Sequence, residues 1–340
     1  MNDTTSIANQ FLEKACKKGA SDIHFHPNPE TNKVQVYFRL LGKRVFVKNI
    51  QRRMFEVILT YFKYRSNMDI GETRRPQNGI LSYETDAGEL YSLRLSTLPL
   101  LANESLTIRL LPQSNLQVNR LFLFPQQFLR MKKWLQQEAG IIFFTGPTGC
   151  GKSTTMYALL EAILREQSFQ AITLEDPIER TLEDVIQVEI NERRGVTYEA
   201  GLKAALRHDP DIIMIGEIRD EATAQFAFQA SLTGHLVLST IHAKNAKGTI
   251  DRLLDLNVTR GDLAQSVIAI ASIQLLPILH GEQEERAAIV EMLDGPHLEN
   301  IILNENDSET NQFQTFHQLK EKAYIYGFIS KKTYQSRSIK

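Results

Sequence analysis

Gly146-Pro147-Thr148-Gly149-Cys150-Gly151-Lys152-Ser153 has the spacing G-x-x-x-x-G-K-S, and Thr154 follows it. A loop of this kind turns its backbone N–H groups toward an anion, and the start of the next helix adds its dipole. Lys152 supplies the cation that reaches the β- and γ-phosphates of a nucleotide, and the Ser153 hydroxyl is the group that sits on Mg²⁺. The flanks are those the loop requires. Ile141-Ile142-Phe143-Phe144 reads as a buried strand, and Met156 to Leu164 as a helix. Residues 146 to 154 are therefore the candidate ATP-binding set.

Three further segments carry polar groups at the ends of apolar runs. Ile172 to Glu179 puts the carboxylates Glu175, Asp176 and Glu179 after one strand, at the edge where α/β sheets bind ligands. Asp209 to Asp220 contains a second strand that ends in Glu217 and Arg219. Gly234 to Ala243 is a third, with His235 before it and His242 after it. Taken singly, an acid in such a place serves as a helix cap and a histidine as a structural one. Behind one phosphate loop, the three clusters are expected to converge on a γ-phosphate.

These groups need elements to hold them. The first third reads as a small α+β domain, residues 1–111. Ile7, Phe11, Leu12 and Ala15 recur at helical spacing and stop at Gly19. Val34 to Phe38 and Arg44 to Val47 form a hairpin at Gly42, and Arg53 to Tyr64 a second helix. Ile80 to Tyr83, Leu90 to Leu95 and Thr107 to Leu111 read as strands. A linker is expected over 112–118. Strands then alternate with helices, the grammar of a parallel sheet, with candidates at 140–145, 171–174, 185–190, 211–215 and 236–240. From about Thr259 the chain reads as mostly helical. Ser266 to Leu279 is apolar but too short to span a bilayer, which takes about 20 residues, and is read as a buried helix.

Composition removes several alternatives. A formal net charge of -1 gives no basic field for nucleic acid, so no direct nucleic-acid partner is expected. Cys16 and Cys150 are too few for a disulfide framework, which suits a reducing compartment. Met1 to Gln10 has no basic start leading into an apolar stretch, so a cytoplasmic location is expected.

The phosphate loop with Ser153 to Ala158, the acidic segment Ile172 to Glu179, Leu206 to Asp220 with its Gly216-Glu217 ending, and Ser231 to Ala246 together resemble the secretion and type IV pilus assembly ATPase superfamily. Ala20 to Phe25, Arg74 to Gly79 and Arg94 to Pro99 resemble signatures of its amino-terminal domain. The resemblance implies an amino-terminal PAS-like domain, followed over 119–340 by a RecA-like P-loop ATPase domain. It also implies a homohexamer, ATP with Mg²⁺, and a polytopic membrane platform protein as partner, with pilins reached indirectly. On that pattern Glu217 holds Mg²⁺ through water, Glu175 orients or deprotonates the attacking water, and His235 senses the γ-phosphate, the two glutamates being interchangeable. Arg207, Arg219, Arg74, Arg94 and Arg109 are candidates to neutralise charge on the transferring phosphate. Ile273 to Pro277 stands where larger members carry paired cysteines, so no zinc is expected. The pattern resembles the short competence pilus ATPases of Gram-positive bacteria, which implies assembly of a pseudopilus for DNA uptake at the inner face of the membrane. Pilus retraction and type IV secretion-like DNA translocation are the alternatives.

Overall fold

The computed structural model describes residues 2–100, 104–113, 121–280, 283–304 and 313–335. It divides into two compact units, Met1–Asn115 and Leu116–Lys340. Pro112, the first position of the expected linker, closes a strand, while 114–118 lie outside the described residues.

The first unit contains helices α1 (Asn2–Lys17) and α2 (Arg52–Arg65) and strands β1 (Asp22–Pro27), β2 (Lys33–Leu40), β3 (Lys43–Gln51), β4 (Gln77–Glu84), β5 (Leu90–Pro99) and β6 (Glu104–Pro112). The strands form one antiparallel sheet in the order β3-β2-β1-β6-β5-β4. Alternation sorts its faces. Ile23, Phe25, Val36, Phe38, Leu95 and Ile108 share a core with Phe11 and Leu12 of α1 and with Phe55, Ile58 and Phe62 of α2. The other face is polar, and a line of directly paired residues crosses it. Arg39 lies opposite Asp22, Asp22 opposite Arg109, and Arg109 opposite Arg94.

The second unit is a seven-stranded sheet in the order β13-β12-β7-β11-β10-β8-β9. Its strands are β7 (Gly140–Thr145), β8 (Ala171–Glu175), β9 (Val185–Glu189), β10 (Ile212–Ile215), β11 (Leu236–Ile241), β12 (Val267–His280) and β13 (Gln283–Asp294). All neighbours pair in parallel except β12 with β13. The helices are α3 (Pro125–Trp134), α4 (Lys152–Leu164), α5 (Tyr198–Ala205), α6 (Glu221–Leu232), α7 (Ala246–Asp255), α8 (Arg260–Ser266), α9 (Gly295–Leu303), α10 (Phe316–Ile325) and α11 (Lys331–Gln335). Two apolar cores include the inward residues of the sheet, among them Ile142 and Phe144 in one and Ile141 and Phe143 in the other. β7 is therefore buried along its whole length, as its unbroken apolar sequence requires.

One expectation fails here. The chain is not mostly helical after Thr259, because β12 and β13 pair as antiparallel strands and Ser266 to Leu279 is no buried helix. β12 pairs with β7 on one edge and β13 on the other, and its two faces enter both cores, Ala269, Ala271 and Ile273 in one and Val267 and Ile270 in the other. Pro277 falls past Ser272, where pairing with β7 has ended. A residue without an N–H is tolerated where a strand has become an edge.

Candidate functional site

β7 delivers the chain into the phosphate loop, and α4 begins at Lys152. Two glycines are required by the geometry. Gly151 caps α4 at φ 96°, in the left-handed region. Gly146 has φ 137°, and a Cβ there would stand 2.6 Å from the Ile273 carbonyl oxygen and 2.7 Å from Cys150 Sγ. The Cys150 sulfur thus fills the underside of the loop. Only 4% of that residue is exposed, and burial pushes its thiol pKa up against the opposing effect of Lys152. The thiol stays protonated and shielded, so Cys150→Ser should hydrolyse ATP normally. Mild oxidant should affect the wild type and this variant equally, and an inhibition confined to the wild type would contradict that.

Lys152 Nζ donates to the carbonyls of Gly146 at 2.8 Å and Pro147 at 3.2 Å, which folds its side chain along the loop. Burial lowers the pKa of this ammonium, and Glu217 and Glu179 oppose the shift. Those two carboxylates are the acids whose field the lysine feels. Glu217 follows β10, accepts an ion pair from Arg219 Nη2, and lies 3.7 Å from His242 Nε2. Arg219 also reaches Asp176 at 3.5 Å. Burial, then the neighbouring Lys152 ammonium, lowers the His242 pKa, which leaves the imidazole neutral at physiological pH. The Thr145 hydroxyl accepts from the Ala243 N–H at 3.0 Å and fixes the chain just beyond His242.

The carboxyl edge of the sheet therefore gathers the phosphate loop, Glu217, Arg219, Asp176, Glu179 and His242. Ser153, in the first turn of α4, and Glu217, facing Lys152, fit a Mg²⁺ held partly by nucleotide oxygens and water. Among the described residues, no group of three His, Cys, Asp or Glu side chains is arranged to hold a metal alone.

Several residues singled out in the sequence are placed elsewhere. His235 stands before β11, where its carbonyl accepts from Gly140 N–H at the start of β7. The six-residue strand puts it about 20 Å from the loop, so His235 does not reach a phosphate bound in its own chain, and His242 is the histidine at the right edge. Thr233 and the Ala230 carbonyl already partner the His235 ring. Arg207 is exposed ahead of β10, at the same wrong edge. Glu175 is at the correct edge but only 3% exposed. Its oxygens accept from Tyr157, from Thr173 at 2.6 Å and from Gln187 at 3.1 Å, a setting for an anchor and not for a group that handles water.

In the first unit, Arg74 is exposed on a loop and its backbone N–H donates to Glu72 at 2.7 Å. Arg94 is half-buried on β5, directly across from Arg109, whose guanidinium pairs with Asp22 at 3.0 Å. Arg39 joins the same carboxylate at 3.5 Å. The sequence reading missed Glu179 and His242 as site residues. A signal was available for both: in a parallel sheet, ligand groups belong at carboxyl ends of strands, which selects His242 over His235 and extends the acidic set to Glu179.

The Type II/IV secretion system protein family matches residues 3–327. The competence protein ComGA of Bacillus subtilis (strain 168) is 38% identical, with 98% of each chain covered. A type II secretion system protein E of Klebsiella pneumoniae is 40% identical over 83% of this chain and 56% of its own length. Among solved structures, the pilus retraction motor PilT with bound ADP superposes with a TM-score of 0.72 at 26% identity, covering 96% of this chain and 95% of its own. The ATPase DotB of Legionella pneumophila gives 0.79 at 20% identity, over 97% and 94%, a likeness of fold.

Proposed function

The chain belongs to the Type II/IV secretion system protein family, and from that premise we propose that it is the ATPase that powers assembly of a competence pilus or pseudopilus for DNA uptake. The observation that carries the chemistry is the gathering of Lys152, Glu217, Glu179, Arg219 and His242 around one phosphate loop. The observation that favours competence is similarity along 98% of a competence protein at 38% identity. Retraction is the second reading, favoured by the 26% identity to PilT along nearly the whole chain. Among the described residues no helix is long and apolar enough to cross a membrane. The proposed working form is a homohexamer docked from the cytoplasm on a polytopic platform protein, with pilins as the indirect load.

In this reading the loop N–H groups and Lys152 hold the β- and γ-phosphates, and Ser153 and Glu217 hold Mg²⁺. Bound there, Mg²⁺ would supply positive charge that offsets the phosphates. Glu179 orients and deprotonates the attacking water, a part that its field at Lys152 supports and the burial of Glu175 disfavours. Arg219 and His242 polarise the γ-phosphate from the same edge. Arg94 and Arg109 complete the site from a neighbouring subunit.

Glu217→Gln and Glu179→Gln should each bind ATP and fail to turn it over, because shape is kept and charge is lost. Fluorescent-nucleotide binding beside phosphate release measures both. In the native host either substitution should abolish DNA uptake while the protein still accumulates. Normal hydrolysis by Glu217→Gln would remove the assigned role from that residue. Normal uptake of DNA by a strain whose ATPase is dead would separate the enzyme from the process.

A further inference from the structure

The loop after β8 is held by a polar network that the hydrolysis scheme leaves without a purpose. Tyr157 and Gln187 both donate to Glu175, and both also grip the loop backbone. The Tyr157 hydroxyl accepts the Glu179 N–H at 3.3 Å. Gln187 Nε2 donates to the Arg180 carbonyl at 2.9 Å, and its Oε1 accepts the Leu182 N–H at 2.8 Å. Two side chains thus fix three backbone groups between Glu179 and Leu182, and one carboxylate, Glu175, holds both of them.

The network also reaches the phosphate loop. Tyr157 lies on α4 four residues past Ser153, on the same face of the helix. One turn further, Glu161 takes the Arg180 guanidinium at 2.7 Å, so the loop is tied to that face of α4 at two successive turns. Tyr157 is 2% exposed and Arg180 8%, so water does not compete for these bonds. The Tyr157 hydroxyl is also kept protonated, because burial and then the Glu175 charge push its pKa up. It can therefore donate to Glu175 while accepting from the backbone.

We propose that Tyr157 and Gln187 are positioning residues for hydrolysis, which hold Glu179 at a fixed place relative to the nucleotide-binding end of α4, with Glu175 as their shared anchor. The proposal rests on the reading of Glu179 as the group that handles water. A phosphate seated on the first turn of α4 and the carboxylate of Glu179 then belong to one rigid piece. Displacing a catalytic group by about 1 Å costs on the order of a hundredfold in rate, and nucleotide binding does not depend on this part of the site.

The test is steady-state hydrolysis and fluorescent-ATP binding by full-length Tyr157→Phe, Gln187→Met and the double variant, with Glu179→Gln and the wild type alongside. Each single variant should lose about ten- to a hundredfold in kcat, with KM and nucleotide affinity unchanged. The double variant should be no slower than the slower single, since both act through one loop. Glu175→Gln should fall in the same range, above the inactive Glu179→Gln. A wild-type kcat in Tyr157→Phe, a parallel loss of kcat and affinity, or independent multiplying losses would each overturn the proposal. Wild-type turnover by Glu179→Gln would instead remove the reading beneath it, whatever Tyr157→Phe does.

Discussion

Lys152→Ala should leave no measurable ATP hydrolysis and should weaken nucleotide binding roughly ten- to a hundredfold, the equivalent of losing a charged hydrogen bond of about 1.5–3 kcal/mol. Lys152 is the only cation among the side chains of the loop, so alanine leaves the β- and γ-phosphates to backbone N–H groups alone. The loop itself should keep its shape. Gly146 is wedged against Ile273 and Cys150, and Gly151 and α4 fix the other end, so the two carbonyls that Lys152 now caps pass to water. Equilibrium binding of a fluorescent ATP analogue and a phosphate-release assay measure the two effects, and thermal melting should report a folded protein. Undiminished hydrolysis by purified Lys152→Ala protein would defeat the assignment of this loop as the active site.

The parts of this site that were legible in the sequence are local ones. A strand, a glycine-rich turn and a helix lie within about 25 residues, and the apolar run Ile141 to Phe144 leaves β7 no place but the middle of a sheet. The acids after β8 and β10 were readable for the same reason. What failed depended on partners distant in sequence. Val267 to His280 has the length and apolarity of a buried helix, and only pairing with β7 and β13 decides that it is a strand. Glu175 and Glu179 look equivalent in sequence. They are separated by Tyr157, Thr173 and Gln187, which take up the oxygens of the first. His235 and His242 frame one strand symmetrically, and a strand has a direction that a motif does not display.

Arg74, Arg94 and Arg109 of the first unit were all candidates by sequence, and the sheet places them differently. Arg74 is on an exposed loop, whereas Arg94 and Arg109 face each other across β5 and β6 on the polar side. That side carries Arg39, Arg109 and Arg94 in one line with a single acid, Asp22. Asp22 pairs with Arg39 and Arg109, so three guanidiniums stand along this line beside one carboxylate.

Arg94→Ala should therefore assemble as the wild type does and lose most of its turnover. Arginine fingers in phosphoryl transfer contribute about 10³–10⁵ in rate, so the variant should lie near background. Mixing decides whether the residue acts on its own nucleotide or on a neighbour's. Arg94→Ala subunits keep a good phosphate loop, and Lys152→Ala subunits keep a good arginine. If the arginine acts in trans, a mixed ring gathers both defects on some interfaces and leaves others whole, and roughly one interface in four is intact in an equimolar mixture. Two inactive preparations should then regain activity on mixing, in proportion to that fraction. For the same reason, specific activity of the wild type should rise with protein concentration until rings are complete. If the arginine acts within its own chain, no mixture can rebuild a site, because every subunit carries one of the defects. Activity no greater than the sum of the separate variants, with mixed rings verified by co-purification of differently tagged subunits, would exclude action in trans.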